Sequence, residues 1–64
     1  MTKMKWYSVR TDGATQEIEA MSEDKAAEEF ASDEFPKAKI RTADQLINYV
    51  ESLGGWCSIK DFEQ

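Results

Sequence analysis

Histidine is absent from the 64 residues, and cysteine occurs once, at Cys57. Without imidazole the chain lacks the side chain best suited to moving protons near neutral pH, and Cys57 has no such base to activate it as a nucleophile. A lone thiol excludes an intramolecular disulfide framework, and with no histidine beside it the usual zinc sites are excluded too. Proline occurs once, at Pro36, and glycine only at Gly13, Gly54 and Gly55. These few breakers fall where elements should end. Basic residues are outnumbered 13 to 8, giving a net charge of −5, which disfavours direct binding of nucleic acid because phosphates need positive partners. No apolar run approaches the roughly 20 residues of a membrane span. Lys3 and Lys5 lead into an amphipathic strand instead of a signal-peptide core. The expected address is the cytoplasm, with no membrane partner and no cofactor.

The chain is 41% hydrophobic and carries two Trp, two Tyr and three Phe, too apolar and aromatic for a disordered chain. Its length allows one compact domain over residues 1–64. A chain of this size buries only about 60% of the surface exposed when unfolded. Its stability must come from packing, or from a partner or oligomer that buries more apolar surface.

Met4 to Thr11 is rich in aromatic and β-branched residues and meets Asp12-Gly13, a dipeptide suited to a tight type I′ hairpin turn. Thr15 to Ala20 returns as the second strand. A two-residue turn sets Val9 opposite Gln16, Tyr7 opposite Ile18 and Lys5 opposite Ala20, so the core face is Tyr7, Val9, Ile18 and Ala20. Arg10 then lies outside, where it can pair with Glu17, and Trp6 lies outside as well. A three-residue loop with a bulge at Gly13 would shift the register by one and turn Trp6 and Ser8 inward.

Ser22 is placed as a helix N-cap, with Glu23 and Asp24 in the first turn where the helix dipole favours negative charge. Ala26, Ala27, Phe30 and Ala31 form the apolar stripe. Asp24, Lys25, Glu28, Glu29 and Ser32 form the opposite face. Asp33 and Glu34 oppose the dipole and Pro36 restricts Phe35, so the helix is predicted to stop near Ser32. Lys37 to Arg41 alternates basic residues with Ala38 and Ile40 and reads as a short strand whose charges guard an edge. Thr42 with Gln45 matches a capping box. The second helix has the stripe Ala43, Leu46, Ile47, Val50 and Leu53, and Gly54-Gly55 stops it. Trp56 to Phe62 reads as a last strand with Cys57 and Ile59 inward. The expected fold is α+β, order ββα(β)αβ: one small sheet of the hairpin plus one or two further strands, with two helices on one face.

No catalytic constellation assembles from these residues. The pairs Glu28 with Glu29 and Asp33 with Glu34 are adjacent on a helix and diverge by roughly 100°. No loop alternates acidic positions around a central glycine as calcium binding requires, and Gly54-Gly55 ends a helix instead of opening one onto a phosphate.

Trp6-Tyr7-Ser8-Val9, then Glu17-Ile18-Glu19-Ala20, then Ser22 through Ala26 and Phe30, together resemble the hairpin-then-helix opening of small phage and mobile-element proteins, some of which are anti-CRISPR inhibitors. The resemblance spans about half the chain and carries over no functional residue. The function expected is a non-enzymatic protein-interaction module that binds a protein partner or itself, through Trp6 and Trp56. The alternative is an acidic inhibitor whose Asp24, Glu28 and Glu29 imitate a row of phosphates and block a basic nucleic-acid site. A small ligand carrier or enzyme ranks behind both.

Overall fold

The computed structural model describes residues 3–61. Two strands, β1 (Lys5–Thr11) and β2 (Thr15–Ala20), are followed by two helices, α1 (Glu23–Glu34) and α2 (Ala43–Ser52), and by a last strand, β3 (Cys57–Asp61). The strands form one antiparallel sheet in the order β2-β1-β3. Both helices pack on one face of it, giving the α+β architecture expected. Phe62, expected in the last strand, lies outside the described residues.

The hairpin adopts the two-residue register, with Val9 opposite Gln16, Tyr7 opposite Ile18 and Lys5 opposite Ala20. Tyr7, Val9, Ile18 and Ala20 are accordingly buried under the helices. The turn itself is not type I′, which needs positive φ at both central residues. Among the described residues only Gly54 has positive φ. The Thr11 hydroxyl explains the difference: its oxygen accepts from the amides of Gly13 at 3.2 Å and Ala14 at 3.0 Å. A side-chain acceptor thus holds the turn closed while the Thr11 amide donates to the Ala14 carbonyl at 2.7 Å. Arg10 sits outside the core as predicted, directly opposite Thr15 and Ser58. It forms no ion pair with Glu17.

Helix α1 starts where its cap predicts, the Ser22 hydroxyl accepting from the Lys25 amide at 3.2 Å. Ala26, Ala27, Phe30 and Ala31 are its buried residues. Phe30 is the one large side chain among them, and the alanines let the helix approach the sheet closely. The helix runs two residues beyond Ser32, to Glu34. Gln16 on β2 supplies the reason, its side-chain amide donating to Asp33 Oδ2 at 2.9 Å and Glu34 Oε2 at 3.2 Å. That donor offsets two carboxylates at the negative end of the helix. The restriction from Pro36 falls on Phe35, which is already the C-cap. Phe35 packs edge-on between Phe30 and Tyr49, with ring centroids 6.3 Å and 5.1 Å away.

Lys37 to Arg41 is not a strand. Its amides are used locally, that of Ala38 on the Phe35 carbonyl at 2.9 Å and that of Arg41 on Gln45 Oε1 at 2.8 Å. Ile40 is buried all the same, joined to the core beside Leu46 and Val50. The basic side chains therefore guard no sheet edge. Helix α2 opens with the Thr42 hydroxyl accepting from the Gln45 amide at 3.1 Å. Half of the capping box is thus as expected; the Gln45 side chain reaches the amide of Arg41 instead of that of Thr42.

At the far end of α2, Gly54 takes φ 88°. Its amide donates to Glu51 O at 3.0 Å and that of Gly55 to Val50 O at 3.1 Å, the paired bonds of a Schellman stop. Of the predicted α2 stripe, Leu46 and Val50 are buried, and Ala43 and Ile47 are half-buried. Leu53 is 63% exposed, because it is the C-cap, past the last helical turn that faces the sheet. Cys57 and Ile59 face inward from β3 opposite Thr11 and Val9 and pack against the core.

Candidate interaction surface

Side chains alternate across a strand, so the residues out of phase with Tyr7 and Val9 occupy the face that carries no helix. Two rows run across it: Thr15, Arg10 and Ser58, then Glu17, Ser8 and Lys60. Glu19 and Trp6 form a third. The central strand therefore presents Trp6 on the uncovered side, 45% exposed. Ser8 is only 5% exposed on that same side, being short and surrounded by the longer side chains of Glu17, Lys60, Trp6 and Arg10. Met4 and Met21, both exposed, continue the outer alternation of β1 and β2 past Trp6 and Glu19. Extending the Lys5–Ala20 register by one step sets them opposite each other. One end of this face is thus apolar, the β2 side is acidic through Glu17 and Glu19, and the β3 side is basic through Lys60.

Trp6 and Trp56 lie toward opposite ends of the sheet. Trp56, 51% exposed, directly precedes β3, whose first residue Cys57 pairs with Thr11 at the hairpin-turn end. Trp6 pairs with Glu19 near the other end. Five residues of strand separate Trp6 from Thr11, about 17 Å at ordinary strand rise.

The carboxylates of α1 are also divided. Asp24 Oδ1 accepts from the Ala43 amide at 2.8 Å, so this side chain ties the start of α1 to the start of α2. Glu28 Oε1 lies 3.4 Å from Lys25 Nζ. Glu29 is exposed and points roughly 100° away from Glu28 around the helix axis.

An open cleft of about 270 Å³ lies between the hairpin turn and the ends of both helices, lined in part by Asp12, Glu34, Phe35, Val50 and Leu53. It falls just under the roughly 300–1,000 Å³ of small-molecule pockets. Tyr49 lines a more open hollow of about 460 Å³ with Ile40 and Asn48, which is within that range. Burial pushes the Cys57 thiol above its ordinary 9.0, and the charge of Glu51 adds to the rise. At neutral pH the thiol is protonated, a poor nucleophile and a reasonable small hydrophobe. Among the described residues no group of three His, Cys, Asp or Glu side chains could hold a metal ion, and no helix is long and apolar enough to cross a membrane.

Reading residues singly picked out Trp6 but passed over Met4, Met21, Ser8 and Lys60. The signal that finds them is the hairpin register carried beyond the strand ends and across to β3. Comparison of the chain with protein-family models, curated proteins and solved structures finds no match.

Proposed function

We propose that this chain is a non-enzymatic protein-interaction module whose docking surface is the helix-free face of its sheet, anchored by Trp6. The observation that carries this reading is the one-sided packing: both helices cover the same face, and the central strand turns a half-exposed Trp6 outward next to exposed Met4 and Met21. Aromatic side chains in such positions are typical anchors of protein interfaces. The missing imidazole and the protonated Cys57 thiol agree with a role that needs no proton transfer or nucleophile. The free thiol suits a reducing cytoplasm. The hairpin-then-helix resemblance fits an origin in phage or mobile elements, whose small proteins act by docking on other machinery.

The test is affinity purification from the native source with wild type, Trp6→Ser and Trp56→Ser. A partner held by wild type and Trp56→Ser and lost with Trp6→Ser is the expected result. An identical set of bound proteins for all three variants, each still folded, together with self-association that Trp6→Ser leaves unchanged, would refute the reading.

A second reading, an acidic inhibitor that occupies a basic nucleic-acid site, draws support from the net charge of −5 and from the exposed Glu23 and Glu29 on α1. It is weakened by the engagement of Asp24 with Ala43 and of Glu28 with Lys25. It predicts that Glu28→Lys with Glu29→Lys reduces both the affinity and the salt dependence of partner binding. Unchanged salt dependence would discard it.

A further inference from the structure

The charges on the helix-free face are arranged so that the face complements itself. Glu17, Ser8 and Lys60 lie in one row, Glu17 on one edge strand and Lys60 on the other, with the small Ser8 between them. The edge strands are two strand spacings apart, roughly 9.6 Å. Among the described residues neither Glu17 nor Lys60 is in an ion pair, nor are Glu19 and Arg10. The row therefore carries an acid and a base whose charges are unanswered among the described residues.

Resting on the reading of this face as a docking surface, we infer that its occupant is a second copy of this chain, stacked face to face about a two-fold axis parallel to β1. That axis carries β2 of one copy over β3 of the other. Glu17 of each copy then meets Lys60 of the other, twice, while Trp6 meets Trp6 and Met4 meets Met4 over the axis. Two sheets pack about 10 Å apart, a gap that Glu and Lys side chains bridge from opposite sides. A two-fold axis running across the strands places β2 over β2 and acid over acid, and like charges facing each other are disfavoured. The charge pattern thus selects one of the two face-to-face arrangements. Extension of the sheet through β2 is disfavoured for the same reason, since Glu17 and Glu19 would confront their own copies. Arg10, on β1 close to the axis, faces its own copy, a single like-charge contact set against the two Glu17–Lys60 pairs.

The footprint is small. Three strands at about 4.8 Å and five residues of rise cover on the order of 250 Å² per copy, well below the ~800 Å² per partner of stable complexes. The dimer is therefore a weak one, and its measurement needs protein up to about 1 mM.

Sedimentation equilibrium over about 10 μM to 1 mM tests the inference through a charge swap. Wild type is expected to move from 7.3 kDa toward twice that mass, with association falling several-fold as salt rises from about 50 to 500 mM. Glu17→Lys alone sets lysine against lysine at both contacts, and Lys60→Glu alone sets glutamate against glutamate, so each variant should weaken association at least tenfold. An equimolar mixture of the two variants restores opposite charges across the interface and should dimerise, as should the chain carrying both substitutions. Both positions are on exposed strand surface, and far-UV circular dichroism checks the fold of each variant. A monomeric wild type at 1 mM, a salt-independent dimer, or a mixture that stays monomeric would each overturn the second copy as occupant. So would an undiminished dimer of Glu17→Lys, which points to pairing through the β3 edge. None of these results touches the interaction-module reading, which stands or falls on partner loss with Trp6→Ser.

Discussion

Replacing Asp24 separates two roles that the sequence could not distinguish, a carboxylate offered to a partner and a carboxylate that joins α1 to α2. The structure assigns the second, with Asp24 Oδ1 accepting from the first amide of α2 at 2.8 Å across 19 residues of sequence. Asp24→Ala removes that acceptor, a loss comparable to removing a helix cap, about 1 kcal/mol. It also removes a negative charge near the positive ends of two helices, worth roughly 0.3–1 kcal/mol at an exposed position. A total of about 1–2 kcal/mol follows, which in a domain of this size lowers Tm by roughly 7–15 °C. Asp24→Asn keeps the acceptor and loses only the charge, so its drop should be less than half as large. Thermal melts followed at 222 nm in low salt measure both. Equal losses for the two variants would show that the hydrogen bond contributes nothing, and an unchanged Tm for Asp24→Ala would refute the tie between the helices. A partner that still binds Asp24→Asn with full affinity agrees with the structural role.

Phe30→Ala removes the one large fully buried side chain of α1 and should cost about 3–5 kcal/mol. Against the roughly 3–10 kcal/mol available to 64 residues, urea unfolding should find little folded protein left. Gly54→Ala forces an L side chain to φ 88° and should cost about 1–2 kcal/mol; the space around it is open, so strain alone is measured, and denaturation equal to wild type would exclude that conformation. The Cys57 thiol should titrate above 9.0, read from thiolate absorbance at 240 nm. Because the folded pKa is the raised one, the folded state holds the proton more tightly, so this contribution is complete below the unfolded pKa and is lost as pH rises through the folded value. Comparison with Cys57→Ala across pH 8 to 10.5 isolates the loss, and a midpoint at or below 9.0 would refute the burial.

Where a local pattern had only one good solution, the sequence determined the outcome alone. Alternation in Tyr7, Val9, Ile18 and Ala20, helical spacing in Ala26, Ala27, Phe30 and Ala31, caps at Ser22 and Thr42, and the stop at Gly54-Gly55 all appear as predicted. Each rests on interactions within a few residues, or on one face being dry, and those leave the same mark in any fold. Tertiary structure decided what depended on a distant partner or on competition for one amide. Gln16, far off in sequence, lets α1 run on past Ser32. Thr11 displaced the expected type I′ turn without disturbing its register. Lys37 to Arg41 alternates like a strand, yet its amides bond locally, and burial of Ile40 with partial burial of Ala38 accounts for the pattern. The candidate surface divides the same way. Alternation placed Trp6 outside, but only the pairing of β3 with β1 set Lys60 in line with Glu17 across Ser8, and only the approach of α2 to α1 converted Asp24 from a free carboxylate into a cap.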